Sequence, residues 1–161
     1  MRWVASVLGI GFLRPASGTW GSLAALPMAW GLHQLGGFWF LVNVTVFVFI
    51  TGWMATQKVT AHGDDHDPSW VVIDEVVGQW IALFPVSYGA MMMGVDITRL
   101  WPGWVAAFVL FRLFDIWKPL WIGAADARGD ALGVMLDDVI AGVFAALGVI
   151  ILGGLYHMVL M

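Results

Sequence analysis

FWFLVNVTVFVFITGWMATQK, Phe38–Lys58, is an apolar run whose one charge is its last residue. A helix needs about 20 such residues to cross the roughly 30 Å hydrocarbon core of a bilayer. In lipid the backbone must satisfy its own polar groups, which a helix does internally. This stretch therefore reads as a transmembrane helix, and the composition says the same of the whole chain. Of 161 residues, 61% are hydrophobic and 11% charged, with a mean hydropathy of +0.88. A soluble domain carries about 25% charged residues. The charges are also segregated: none falls between Pro15 and Gln57, between Val76 and Val95, or between Val139 and Met161. The expectation is an all-α integral membrane helical bundle in a single domain, residues 1–161. With no cysteine in the chain, disulfides, thiolate metal sites and a cysteine-phosphatase nucleophile are excluded.

Outward from Phe38–Lys58, four further segments are read as spans. A shorter one, carrying Pro27 and His33, precedes it and ends at about Gly37. Asp74–Met93, Gly103–Lys118 and Asp137 to about Leu160 follow, separated by polar or Gly-rich connections. Trp3, Trp20, Trp39, Trp70, Trp101, Trp104, Trp117 and Trp121 fall near the expected segment ends, where interfaces favour this residue. Met1–Leu13 is read as a short interfacial helix, because Arg14–Pro15 offers no small-x-small cleavage site for a signal peptide. With five spans and a cytoplasmic N-terminus, Arg2, Arg14, Lys58, Arg112, Lys118 and Arg128 lie inside and Arg99 outside. Positively charged residues favour the inside of a membrane, so this orientation is the expected one. The same threading brings segments 14–22, 58–75 and 112–138 to the cytoplasmic face, which predicts one site there.

The candidate chemistry lies in those segments. Arg112, Asp115 and Lys118 stand at i, i+3 and i+6 just before Pro119, so consecutive members are neighbours on one helix flank. Arg112 offers a bidentate fork for phosphate. Asp115 is either a brace for the two cations or a further metal ligand. Asp74–Glu75 and Asp137–Asp138 each head an expected helix, where one acid as a cap or dipole partner is worth about 0.3–1 kcal/mol. Paired acids exceed that role, and an acid near hydrocarbon costs roughly 2.5–3.5 kcal/mol. Mg²⁺, which takes carboxylate, phosphate and water oxygens, compensates such a set. Asp74, Glu75, Asp137 and Asp138 are therefore the candidate metal ligands. Gly18, Thr19, Gly21 and Ser22, in a turn-rich loop ahead of a helix, are candidate anion binders through backbone N–H and hydroxyl groups. No Gly-Lys-Ser/Thr follows, so this is not a nucleotide P-loop. His62 is read as a solvated loop residue and His66, beside Asp67, as a candidate; His33 and His157 are read as structural.

Four blocks of this chain resemble the phosphatidylglycerophosphatase A family. They are Pro15–Ser22, His66–Gly78, Phe111–Pro119 and Gly133–Gly142, in the family's order and over nearly the whole length. Ser17 stands where the family commonly has a second proline. The resemblance implies a bacterial inner-membrane, Mg²⁺-dependent lipid phosphatase that converts phosphatidylglycerophosphate to phosphatidylglycerol and phosphate. It points to Gly18, Thr19, Gly21 and Ser22; to Asp67, Asp74, Glu75 and Gly78; to Arg112, Asp115 and Lys118; and to Asp137 and Asp138.

On this reading Arg112 and Lys118 neutralise the phosphoryl oxygens, and Asp67 or Glu75 is the general base for a water nucleophile. Attack by an aspartate through an acyl-phosphate is the other route. The partners expected are the phospholipid substrate and the membrane, with no nucleic acid. The rival class is a small ion or proton-coupled transporter, since acids within membranes often mark ion pathways. Against it, no ionisable residue occupies the middle of the third or fifth span.

Overall fold

A computed structural model describes residues 1–61 and 68–160. The helices are α1 (Arg2–Ala5), α2 (Ser17–Thr60), α3 (Ile73–Met93), α4 (Trp101–Trp117), α5 (Trp121–Asp126) and α6 (Ala131–Leu160). Single 3₁₀ turns occur at Ile10–Phe12 and Ile97–Leu100, and the described residues contain no strand. Among the described residues, four helices are long and apolar enough to cross a membrane: α2, α3, α4 with the 3₁₀ turn before it, and α6.

A straight helix as long as α2, at 44 residues, would reach about 66 Å, twice a bilayer core. It is not straight. Gly36 (φ −161°, ψ 17°) and Gly37 (φ 67°, ψ −160°) leave helical geometry, and the Gly37 combination is open essentially to glycine alone. The contacts on either side show a reversal. Before the break, Gly21 lies against Val72 and His33 bonds Ser87 (2.7 Å), so this arm runs parallel to α3. After it, Phe38 meets Phe84 and Tyr88 while Gly52 meets Ile73, so the second arm runs antiparallel. The two arms are a hairpin, and the bundle has five rods. The expected division at Gly37/Phe38 falls at this break.

Close approach through small residues locks the remaining rods, as membrane helices without a strong hydrophobic drive require. A Cβ on Gly142 of α6 would collide with the Gly78 carbonyl of α3, and one on Gly78 would meet Phe111 of α4. Gly103 of α4 faces Val86, and Gly148 of α6 faces Leu110. With the Phe114 ring tilted against that of Phe144 (5.8 Å between centroids), α4 runs antiparallel to both α3 and α6. Leu41, Trp80, Leu83, Ala107, Phe111 and Ala141 fill the core, and Trp80 Nε1 donates to the Ala25 carbonyl across it (2.9 Å). Large apolar side chains such as Phe47, Ile116 and Ile151 face outward, as contact with lipid demands.

Three boundaries differ from expectation. Met1–Leu13 is not one helix: α1 ends at Ala5, whose carbonyl accepts from Val72 N–H (2.9 Å), and a 3₁₀ turn follows. Gly18–Ser22 are the first turns of α2 rather than a loop. Helix α6 begins at Ala131 rather than Asp137, because the Asp130 carboxylate accepts from Gly133 N–H (2.7 Å) and its carbonyl from Val134 N–H. That is capping by an acid. The expected loop before it also contains α5.

Candidate active site

The starts of α2, α3 and α6 and the end of α4 meet at one end of the bundle. The acid pairs share a local arrangement there. Asp74 Oδ1 accepts from Glu75 N–H (3.0 Å), and Asp137 Oδ1 accepts from Asp138 N–H (2.9 Å). In each pair the first acid folds back on the chain and the second is left facing inward. Asp74, Asp137 and Asp138 are buried, and Glu75 Oε2 and Asp138 Oδ1 are enclosed without a hydrogen-bond partner. Because α6 starts at Ala131, Asp137 and Asp138 lie two turns inside it and cap nothing. Capping thus accounts for neither.

The structure brings Asp74, Glu75 and Asp138 together, with one ligand atom from each all within 4.8 Å of one another. Asp137 is turned elsewhere: its Oδ2 pairs with Lys118 Nζ at 2.9 Å. Lys118 reaches it because the residue adopts φ 47°, ψ 52° and ends α4, swinging its side chain over Asp137 and Asp126 of α5. Burial alone would lower the Lys118 pKa, but the hydrogen bonds it donates to Asp126 and Asp137 outweigh it and hold the ammonium above its ordinary range. Lys118 therefore stays charged. Arg112 forms an ion pair with Asp115 one helical turn away through Nη1, and its Nε makes no hydrogen bond. Its fork keeps donors for another anion.

The Gly-Ser segment divides. Gly18 is where α2 comes closest: a Cβ there would strike Glu75 Oε1 and lie 3.1 Å from Arg112 Nη1. Gly21 serves packing, its absent Cβ leaving room for Val72. Ser22 is buried and donates back to the Gly18 carbonyl (2.8 Å), and Thr19 is partly exposed with its N–H bonded to Ala16. Ser17 Oγ donates to the Ser69 carbonyl and ties the start of α2 to the segment before α3. Asp67 and His66 lie outside the described residues.

Three acids, Asp74, Glu75 and Asp138, thus cluster, and Asp115, the partner of Arg112, lies near Asp138. Two unit charges 4 Å apart at an effective dielectric of 20 repel by about 4 kcal/mol, more than any capping gain. The donor set is all carboxylate oxygen, which suits a hard divalent cation and not a soft one. The residues fit Mg²⁺.

One residue carried no signal strong enough to single it out. Gln79 is fully buried in α3 one turn beyond Glu75, and neither its Nε2 nor its Oε1 has a hydrogen-bond partner. A lone amide inside an apolar span is the only mark it leaves in the sequence.

The chain matches the family profile described as Phosphatidylglycerophosphatase A over residues 3–153. It is similar to a Haemophilus influenzae protein named phosphatidylglycerophosphatase A, 36% identical over 140 residues that cover 86% of this chain and 80% of the relative. A protein of the same name from Escherichia coli K12 is 35% identical over 147 residues, covering 87% and 78%. A Bacteroides thetaiotaomicron protein, provisionally named a phosphatidylinositol-3-phosphatase, is 37% identical over 147 residues, covering 88% and 86%. No solved structure matches the chain.

Proposed function

Because this chain belongs to the phosphatidylglycerophosphatase A family, we propose that it hydrolyses the terminal phosphomonoester of phosphatidylglycerophosphate, yielding phosphatidylglycerol and phosphate. The reaction runs with Mg²⁺ at the cytoplasmic face of a bacterial inner membrane. The observation that carries this reading is the cluster of Asp74, Glu75 and Asp138, two of them buried, beside Arg112, whose Nε has no partner. Membership in a phosphatase family sets the transporter class aside.

The residues divide the work. Asp74, Glu75 and Asp138 hold the cation, which when bound neutralises phosphoryl oxygens and lowers the pKa of coordinated water. Arg112 grips the terminal phosphate with its free donors while Asp115 fixes the guanidinium from behind. Lys118, anchored by Asp126 and Asp137, keeps a positive charge at the mouth of the site. Gly18 lets α2 close over the site without a side chain between substrate and Glu75. Water is the nucleophile: Glu75 or Asp67 takes its proton as the new P–O bond forms and gives it to the glycerol oxygen as the old one breaks, releasing phosphatidylglycerol and phosphate.

The test is phosphate release by purified protein in detergent from phosphatidylglycerophosphate, with Mg²⁺ and with chelator, beside phosphatidylinositol-3-phosphate as competitor. Expected are release that stops in chelator and returns with Mg²⁺, its near-abolition in Asp138→Asn, and preference for the glycerophosphate lipid. Chelator-resistant turnover would remove the metal. Faster turnover of the inositol lipid, the substrate class in the name of one relative, would reassign the substrate.

A further inference from the structure

Gln79 presents an energetic problem that packing does not explain. Its side chain is fully enclosed and both ends of the amide lack a partner. Leaving a buried donor or acceptor unsatisfied costs about 1–3 kcal/mol each. A leucine of similar bulk would fill the same space in the core without that cost. Placement suggests what the amide is for. Gln79 follows Glu75 by four residues, so the two share one flank of α3. Further along the same flank Val86 packs on Gly103 of α4, and at its head Glu75 lies beside Gly18 and Arg112. The flank therefore faces the wall that carries Arg112. Glu75 Oε2, Arg112 Nε and Asp138 Oδ1 are themselves enclosed without partners. A buried water needs two to four polar partners, and the two ends of the Gln79 amide with Glu75 Oε2, one helical turn away, offer them.

We propose that Gln79 is a positioning residue of the hydrolytic site, its amide and Glu75 jointly hydrogen-bonding a water that aligns the Glu75 carboxylate. This rests on reading the acid cluster as that site. An amide suits the role better than the other polar side chains. It donates to and accepts from the same water, and it adds no charge to a cluster already crowded with carboxylates. The water need not be the one consumed; holding Glu75 is enough to lower the barrier.

Purified Gln79→Leu and Gln79→Asn are compared with wild type for kcat and KM on phosphatidylglycerophosphate and for thermal unfolding followed by tryptophan fluorescence. Gln79→Leu is expected to unfold at the wild-type temperature or above and to keep KM. Its kcat should fall on the order of 10- to 100-fold, the loss that small misalignments cause. Gln79→Asn should recover part of that loss. Wild-type kcat in Gln79→Leu would overturn the proposal. So would a kcat loss that merely tracks a lowered unfolding temperature, or a raised KM with kcat unchanged. Absence of phosphate release from wild type would instead overturn the hydrolytic reading beneath it.

Discussion

At the scale of the residue, the site is legible wherever chemistry alone restricts the choice. Gly18 is the sharpest case. It lies in the first turn of α2, where the backbone does not need glycine and alanine is the better helix former by about 1 kcal/mol. What demands glycine is the neighbour, since a methyl group would strike Glu75 Oε1 and crowd Arg112. Gly18→Ala should therefore unfold no earlier than wild type yet lose about tenfold or more in kcat, because a small displacement of catalytic groups is costly. Unfolding curves and steady-state phosphate release decide it, and undiminished turnover would show that α2 does not border the reacting groups. Asp74, Glu75 and Asp138, which the sequence marks as acids expensive to keep near hydrocarbon, come together in the fold. Asp137 shares that mark only through its adjacency to Asp138. Its pairing with Lys118 depends on the left-handed turn that ends α4, a tertiary event with no local signature. Gln79 escaped notice because a single amide looks the same in sequence whether it is satisfied or orphaned.

At the scale of the element, the spans follow from the run lengths of apolar residues, and their ends follow from capping. The hairpin in α2 was visible because Gly36–Gly37 interrupts a stretch twice the length a bilayer accepts. The start of α6 was not, because the acids at 137 and 138 drew the boundary while Asp130 was doing the capping. The difference has a chemical consequence: inside the helix the two acids have no capping role, Asp137 being met by Lys118 and Asp138 joining Asp74 and Glu75. The hairpin yields a clean test of strain. A side chain at Gly37 would have nothing within 4 Å, so Gly37→Val acts through the backbone alone. A residue forced into such geometry costs of the order of 1–3 kcal/mol. The variant should unfold at a lower temperature, while kcat per folded molecule stays at the wild-type value because the tip lies at the opposite end from Glu75. A kcat loss in the folded fraction would mean that the tip and the site are mechanically coupled.

At the scale of the molecule, charge is sorted between the two ends of the bundle. Arg2 sits over Trp70, and Arg14, Lys58, Arg112, Lys118 and Arg128 belong to segments at the same end as the acid trio. Arg99, beside Asp96, belongs to the other. Basic residues near helix ends resist translocation, which favours the proposed orientation with that end in the cytoplasm. The hairpin makes this orientation testable with the chain as it stands, because it contains no cysteine to remove. Gln57 and Gln34 are exposed and lie on the two arms, one near each end. In spheroplasts treated with a membrane-impermeant maleimide, Gln34→Cys should be labelled at once and Gln57→Cys only after the membrane is permeabilised. The opposite pattern would place Glu75, Asp138 and Arg112 outside the cytoplasm. Labelling of both from outside would mean that the arms of α2 do not each cross. Either result bears on function as well as topology, since a site at the outer face would draw on a different pool of lipid phosphate.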